Sequence, residues 1–130
     1  MIIALGIDIV EITRIGEVLG RRGERFRARV FTAGEIEYCE QRGSPLASYA
    51  ARFAAKEAAM KALGTGWAGG IGWRDVEIVR LEGGKPAIKL AGRAEQRFAE
   101  LGAVRVHVSL SHSGDLAIAQ VVLEGPANKQ

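Results

Sequence analysis

The sequence has little of what marks secreted, zinc-binding or membrane-spanning proteins. Cys39 is the only cysteine among 130 residues, which excludes an internal disulfide and favours a reducing compartment. With only two histidines, the chain lacks the Cys and His cluster of a zinc site. No apolar run approaches the roughly 20 residues of a membrane span, and Asp8 interrupts the apolar start where a signal peptide would need an unbroken segment. We therefore expect a cytoplasmic protein with no membrane partner.

Excess charge of one sign is also scarce. The 18 basic and 15 acidic side chains leave a net charge of +3, which does not argue for nucleic acid, so we expect no nucleic-acid partner. Hydrophobic residues make up 48% of the chain, as in ordinary globular proteins, and the length suits one domain. We predict a single domain over residues 1–124 and a disordered tail over residues 125–130.

The stretch 45–63 predicts a long helix. It is rich in alanine, and Lys, Glu, Met and Leu fill most other positions, all of them good helix formers. Ser44 precedes a proline at the first helical position, and Gly64 suits a left-handed cap at the end. Glu57 and Lys61 lie four residues apart and therefore share one face. Taken alone, they can be a solvated surface ion pair.

Residues 2–12 predict a strand whose two faces are both largely apolar, which indicates a well-buried strand. Asp8 lies in its middle, where a carboxylate has to be paired, neutralised or bound to a metal. Gly6, on the same face, would admit a ligand or another backbone. If the long helix packs on this strand, Asp8 and Glu57 converge as oxygen ligands for Mg²⁺, and Lys61 lies next to a phosphate. The alternative is a structural Asp8 that caps a turn or pairs with an arginine.

The remaining segments predict short helices and two hairpins. Thr13 can cap a helix that begins near Arg14, and Thr32 with Glu35 has the pattern of a capping box before a helix at about 33–41. The predicted strands that follow are 75–81, 87–90, 104–111 and 116–123, with a helix over 91–101 between the two hairpins.

Two further features can carry function. The first predicted helix has an exposed arginine face that ends in an aromatic residue, and this combination suits an acidic protein partner. The face consists of Arg14, Arg21, Arg25 and Phe26. His112 lies where a strand meets its turn, a usual place for a functional side chain. Each feature also has a structural alternative: a solvated face, and a histidine with no catalytic role.

Two motifs give the chain a resemblance to a known family. Residues 6–12, Gly-Ile-Asp-Ile-Val-Glu-Ile, resemble the first motif of the 4'-phosphopantetheinyl transferases, and residues 53–62, Phe-Ala-Ala-Lys-Glu-Ala-Ala-Met-Lys-Ala, resemble the second. The length and the segments 64–66, 84–86 and 107–112 are similar to those of the short members of the family, the holo-[acyl-carrier-protein] synthases.

The resemblance implies a fold, a reaction and an assembly. The fold is α+β, with antiparallel sheet strands packed around one long central helix. The reaction moves 4'-phosphopantetheine from coenzyme A to a serine of apo acyl carrier protein, releases 3',5'-ADP, requires Mg²⁺ and supports fatty acid biosynthesis. The assembly is a homotrimer with each site between two subunits.

The resemblance also assigns residues. It implies that Asp8 and Glu57 bind Mg²⁺, and that Glu57, Lys61 and His112 are the catalytic candidates. The residues implied to bind coenzyme A are Asp8, Arg52, Glu57, Lys61, Gly64, Thr65, Gly66, Gly84, Lys85, Pro86, His112 and Ser113. Those implied to bind the carrier protein are Arg14, Arg21, Arg25 and Phe26. Relatives often carry an extra basic residue before the long helix, and Arg42 is the substitute here for binding the 3'-phosphate.

Some alternatives stay open. The base that takes the proton of the carrier serine is Glu57, a metal-bound water or His112. The chain can instead be a non-catalytic module that docks an acidic helical protein through its arginine face, although such a module needs neither Asp8 nor Glu57. A nucleotide hydrolase is a third possibility, and it would break down coenzyme A without any carrier protein.

Overall fold

The computed structural model describes residues 1–64 and 69–127, and within them it has four α-helices and five strands. In chain order the elements are β1 (Ile2–Glu11), α1 (Ile12–Val30), α2 (Ala33–Glu40), α3 (Pro45–Leu63), a short 3-10 helix (Trp73–Asp75), β2 (Val76–Arg80), β3 (Pro86–Leu90), α4 (Gly92–Glu100), β4 (Arg105–Ser113) and β5 (Leu116–Glu124). The long helix begins and ends where its sequence predicts.

The strands form two antiparallel sheets. The larger has the order β1-β5-β4, and its register places Asp8 opposite Ala119. The smaller pairs β2 with β3 across the predicted first hairpin. Helix α3 contacts strands of both sheets as well as the other three helices. It is therefore the element on which the rest of the fold packs.

Small residues let α3 lie very close to β1. The helix buries seven alanines, namely Ala50, Ala51, Ala54, Ala55, Ala58, Ala59 and Ala62. A Cβ atom added to Gly6 would lie 1.9 Å from the carbonyl oxygen of Ala58. That distance is far inside van der Waals contact, so only glycine fits at this position of the strand. Of the two roles predicted for Gly6, the structure places a backbone, not a ligand, against it.

The prediction that β1 is buried on both faces is wrong. Leu5, Ile7 and Ile9 are 58%, 55% and 57% exposed, whereas Gly6 on the opposite face is buried. The physical reason is the layering of the fold, because α3 covers one face of the β1-β5-β4 sheet and no described element of the chain covers β1 on the other. The strand therefore presents an apolar stripe of Leu5, Ile7 and Ile9 to its surroundings.

Of the four residues predicted to cap helices, three occupy a cap position in the structure. Gly64 caps α3 with φ 79° and donates its N–H to the carbonyl of Met60, and the capping box of Thr32 and Glu35 is present. Ser44 occupies the N-cap position of α3 without a side-chain hydrogen bond. Thr13 is not a cap, because α1 already begins at Ile12. The hydroxyl and the N–H of Thr13 both donate to Asp115, which ties α1 to the turn between β4 and β5.

A buried ion pair lies under α3. Lys56 and Arg52 lie four residues apart on α3, and both side chains are buried. The ammonium of Lys56 lies 2.7 Å from Glu35 and also donates to the carbonyls of Trp73 and Val76. Burial lowers the pKa of Lys56, and the neighbouring carboxylate of Glu35 opposes that change. The pair fastens α3 to α2 and to the start of β2.

The two ends of the described chain meet. Gly125 donates its N–H to the carbonyl of Met1 at 2.7 Å, and the amino terminus donates to the carbonyl of Pro126 at 3.2 Å. These bonds involve the first residues of the predicted tail, while 128–130 lie outside the described residues. None of the described helices combines the length and the apolar character needed to cross a membrane.

Candidate active site

Asp8, Glu57 and Lys61 come together where β1 crosses α3. The ammonium of Lys61 donates to Oδ1 of Asp8 and to the carbonyl of Ile7, both at 3.0 Å. The Asp8 side chain is only 14% exposed, whereas that of Lys61 is 56% exposed. Asp8 therefore has a cationic partner, although it is a lysine and not the arginine considered from the sequence. The close packing at Gly6 is what brings the strand carboxylate within reach of the helix.

Glu57 shares the electrostatic field of Asp8. Burial raises the pKa of Glu57, the negative charge of Asp8 raises it further, and Lys61 acts in the opposite direction. Because the negative charge of Asp8 opposes the ionisation of Glu57, a cation bound between the two carboxylates would be stabilising.

The donor set fits a hard divalent cation. Mg²⁺ prefers carboxylate oxygens, usually one or two from the protein, with water and phosphate oxygens completing its shell. No group of three or more candidate ligands occurs among the described residues. Asp8 and Glu57 would therefore hold Mg²⁺ only together with oxygens from outside the protein.

A cavity of about 450 Å³ opens beside the two acids. Arg14 and Phe26 of α1 line it together with Asp8 and Glu57, and Phe53 of α3 completes its apolar part. The ring of Phe53 stacks on Trp73 with 5.1 Å between centroids. Arg14, the first arginine of the face predicted to bind an acidic protein partner, thus lies at the edge of the site formed by Asp8 and Glu57, which we call the acidic site.

The rest of that face lies farther along α1. Arg21, Arg25 and Phe26 line a cavity of about 610 Å³ with Arg22 and Arg29, and these five are its only lining residues in the described chain. The helix departs from helical geometry at Arg22, where φ is −134°. Phe26 is partly buried against two other phenylalanines, so it is an anchored aromatic and not a free one. Because Phe26 lines both cavities, the arginine face is continuous with the acidic site.

Arg52 and His112 line a different cavity, of about 300 Å³. Arg42 and Arg80 also line it, and no acidic residue does among those described. Within one chain, His112 therefore does not join Asp8 and Glu57, although the resemblance places all of them at one site. We refer below to the cavity lined by Arg42, Arg52, Arg80 and His112 as the basic cavity.

Among the described residues, Arg52 has no acidic partner within salt-bridge distance. Its side chain is 1% exposed, and its guanidinium carbon lies 4.0 Å from the centre of the Tyr38 ring. Its Nε is buried and makes no hydrogen bond within the described chain. A buried cation with a free donor is costly, so the basic cavity has the chemistry of an anion site.

The segment 84–86 is connected to the basic cavity. Arg80 donates to the carbonyl of Gly84 at 2.6 Å, and Pro86 pairs with Arg80 across the hairpin. Lys85 is exposed in the turn between the strands.

The other residues implied to bind coenzyme A lie at the ends of elements. Ser113 ends β4 and is exposed, one residue beyond His112. Gly64 ends α3, whereas Thr65 and Gly66 lie outside the described residues.

Sequence reasoning missed three contributors. Tyr38 and Arg80 line the basic cavity, and Glu35 pairs with Lys56. The spacing of Tyr38 and Arg42, four residues apart, was a weak signal that they lie together. Arg80 and Glu35 gave no local signal of their roles, because their partners are distant in the chain.

Comparison with known proteins gives consistent results. Residues 4–121 match the 4'-phosphopantetheinyl transferase superfamily. The holo-[acyl-carrier-protein] synthase of Koribacter versatilis (strain Ellin345) is 48% identical over 124 residues, which cover 95% of this chain and 99% of the relative. The crystal structure of the synthase from Neisseria meningitidis has a TM-score of 0.87 at 37% identity and covers 95% of this chain and 99% of its own. That of the Helicobacter pylori synthase in complex with coenzyme A has a TM-score of 0.81 at 32% identity, with 92% and 99% covered.

These similarities extend over nearly the whole chain and include both sequence and structure. They confirm the α+β fold class and the family resemblance carried by the two motifs around Asp8 and Glu57. The chain therefore belongs to the 4'-phosphopantetheinyl transferase superfamily, in the family of the holo-[acyl-carrier-protein] synthases.

Proposed function

We propose that the chain is a Mg²⁺-dependent enzyme that transfers 4'-phosphopantetheine from coenzyme A to a serine of apo acyl carrier protein and releases 3',5'-ADP. The observation that carries the proposal is the convergence of Asp8, Glu57 and Lys61, which come from the two motifs shared with the family. The relative crystallised with coenzyme A supports the donor substrate. A docking module would need none of this acidic site, so that alternative is not favoured.

The chemistry follows from the three side chains. The serine hydroxyl attacks the β-phosphorus of coenzyme A, the pyrophosphate P–O bond breaks, and the bisphosphate nucleotide leaves. Lys61, more than half exposed, can turn from Asp8 to a phosphate oxygen and offset the developing negative charge. Glu57 and His112 are the two side-chain candidates for accepting the serine proton. Mg²⁺, held by Asp8 and Glu57, would supply further charge stabilisation at the pyrophosphate.

The basic cavity is proposed to bind the nucleotide end of coenzyme A. Arg52, Arg42 and His112 offer donors to the 3'-phosphate, and arginine binds phosphate through paired N–H groups. A phosphate there would offer Nε of Arg52 the acceptor that it lacks among the described residues. The segments 64–66, 84–86 and the exposed Ser113 complete the proposed wall around the nucleotide.

A homotrimer with sites between subunits is supported by two observations. The acids and the basic cavity have different lining residues in one chain, so one coenzyme A molecule can use both when they come from neighbouring subunits. Leu5, Ile7 and Ile9 form an exposed apolar stripe on β1, which is what a subunit interface would cover. We expect Leu5→Asp to lower the mass measured by light scattering, while Val104→Asp, an equally exposed position beside the opposite sheet edge, leaves it unchanged.

The carrier protein is proposed to bind along α1. Arg14, Arg21 and Arg25 present forked donors to an acidic surface, and Phe26 anchors the contact. Arg14 lies beside Asp8, which would bring the carrier serine to the phosphate. We place the enzyme in the cytoplasm and in fatty acid biosynthesis, where apo acyl carrier protein is the substrate to be modified.

Intact mass of an apo acyl carrier protein tests the reaction. After incubation with this protein, coenzyme A and Mg²⁺, we expect a gain of one phosphopantetheine that EDTA abolishes. Asp8→Ala and Glu57→Ala should abolish the gain without unfolding, while Glu95→Ala, an exposed carboxylate on α4, should not. No gain with several carrier proteins would refute the proposal, and full activity of either site variant would remove the metal site from it.

A further inference from the structure

We propose that Tyr38 is a positioning residue for the basic cavity, and that its aromatic ring gathers three arginines from three separate elements. Arg52 comes from α3, Arg80 from β2 and Arg42 from the turn after α2, and their guanidinium carbons lie 4.0, 5.5 and 5.1 Å from the ring centre. The inference rests on the proposed binding of coenzyme A, and it assigns a role to Tyr38 and Arg80, which the motifs do not include.

Electrostatics explains why a ring is needed at this point. Three guanidinium groups near one another repel, and the lining of the cavity contains no acidic residue in the described chain. A carboxylate would hold the arginines together but would also occupy their donors and repel a phosphate. An aromatic face attracts each cation through its quadrupole and leaves the N–H groups at the edge of the guanidinium free. Tyr38 can therefore assemble the site while keeping it open to an anion.

Arg80 links this assembly to the first hairpin. Its Nη1 donates to the carbonyl of Gly84, while its guanidinium carbon remains near the ring of Tyr38. One arginine thus connects the proposed nucleotide wall at residues 84–86 with the proposed phosphate donors. We infer that Arg80 contributes one of the positive charges that bind the 3'-phosphate.

Steady-state kinetics with two donors tests the role of Tyr38. Coenzyme A carries the 3'-phosphate, and 3'-dephospho-coenzyme A lacks it but keeps the reacting pyrophosphate. For Tyr38→Leu we expect the KM for coenzyme A to rise about tenfold, because the ring that holds the three phosphate donors by cation–π attraction is lost. The kcat and the KM for the dephospho donor should change less than about twofold, and Tyr38→Phe, which keeps the ring, should restore the KM for coenzyme A.

Several outcomes would overturn the inference. An equal rise of KM for both donors, a loss confined to kcat, or a phenylalanine variant as impaired as the leucine variant would each exclude a role in holding the phosphate donors. Arg80→Gln gives a second test if Tyr38→Leu does not fold, because an unchanged ratio of the two KM values would refute the assembly. If the wild-type protein transfers no phosphopantetheine, the proposed function fails instead, and binding of 3',5'-ADP to the Tyr38 variants, followed by calorimetry, still tests the site.

Discussion

Replacement of Lys56 by methionine is expected to destabilise the fold strongly. The ammonium is fully buried, pairs with Glu35 at 2.7 Å, and donates to two main-chain carbonyls. Methionine has nearly the same length but no charge and no donors, so the variant leaves the buried carboxylate of Glu35 without its cation. Glu35 would keep its hydrogen bonds from the N–H groups of Thr32 and Ile78.

The magnitude follows from burial. Breaking a buried ion pair by removing one partner costs about 3–5 kcal/mol, because the remaining charge is not compensated. Lys61→Met provides a matched control, since its pair with Asp8 is made by a side chain that is 56% exposed, and such pairs are worth about 0–1 kcal/mol. Domains of this kind have about 5–15 kcal/mol of stability in total, so Lys56→Met should lower the Tm by roughly 10–20 °C.

Urea denaturation and thermal denaturation, both followed by circular dichroism, are the assays. They are run at one protein concentration, because assembly of subunits makes the apparent stability depend on concentration. The double variant Lys56→Met with Glu35→Gln should recover part of the loss, since no buried charge then remains unpaired. A loss for Lys56→Met no larger than that for Lys61→Met would refute the reasoning, and so would a double variant less stable than Lys56→Met alone.

Three further predictions use other parts of the structure. Gly6→Ala should cost at least about 1–3 kcal/mol in urea denaturation and lower transfer activity, because the new methyl group would meet the carbonyl of Ala58 and push β1 from α3. Burial raises the pKa of the Cys39 thiol to about 11, so the native state favours the protonated thiol. The stability that this preference contributes should be complete below pH 9.0 and should decline as the pH rises toward 11. Thiol labelling at pH 8 should require unfolding, because the thiol is buried. Reversing Arg14 and Arg21 to Glu should raise the KM for the carrier protein and leave coenzyme A binding unchanged.

Two of these predictions have matched controls. Gly20→Ala adds the same methyl group to α1, where no atom lies within 4 Å of it, and should not destabilise the fold. Arg105→Glu reverses an exposed charge away from α1 and should leave the KM for the carrier protein unchanged. Equal effects of Gly6→Ala and Gly20→Ala would contradict the close packing of α3 on β1, and equal loss of carrier and coenzyme A binding would contradict a separate carrier surface.

Local sequence signals predicted the ends of elements well where a single residue type decides the geometry. Gly64 ends α3 because it adopts a left-handed conformation, and Thr32 with Glu35 starts α2 because two backbone N–H groups need acceptors. The start of α1 was missed, because Asp115, more than 100 residues away, accepts the hydrogen bonds of Thr13. Signals that act within one turn are readable from sequence, and those that act across the fold are not.

For the site, the residue types were predictable and their arrangement was not. Asp8 in an apolar strand and Glu57 with Lys61 on one helix face already indicate a charged site, but their meeting depends on the contact of Gly6 with the backbone of α3. Arg42, Arg52 and His112 of the basic cavity were named from the resemblance, but Arg80 was not. The meeting of the three arginines on the ring of Tyr38 could not be predicted, because they come from three elements.

Burial shows the same division between sequence and structure. The sequence alone establishes that β1 is apolar on both faces and that α3 carries lysines at positions 56 and 61. The tertiary structure decides which apolar face is covered and which lysine is buried, because both depend on elements that are distant in the chain. Helix α3 covers one face of β1 and leaves Ile7 on the other face exposed. Lys56 is buried because the carboxylate of Glu35 is buried beside it and pairs with its ammonium. Hydrophobicity and charge are properties of a residue, whereas burial is a property of everything packed around it.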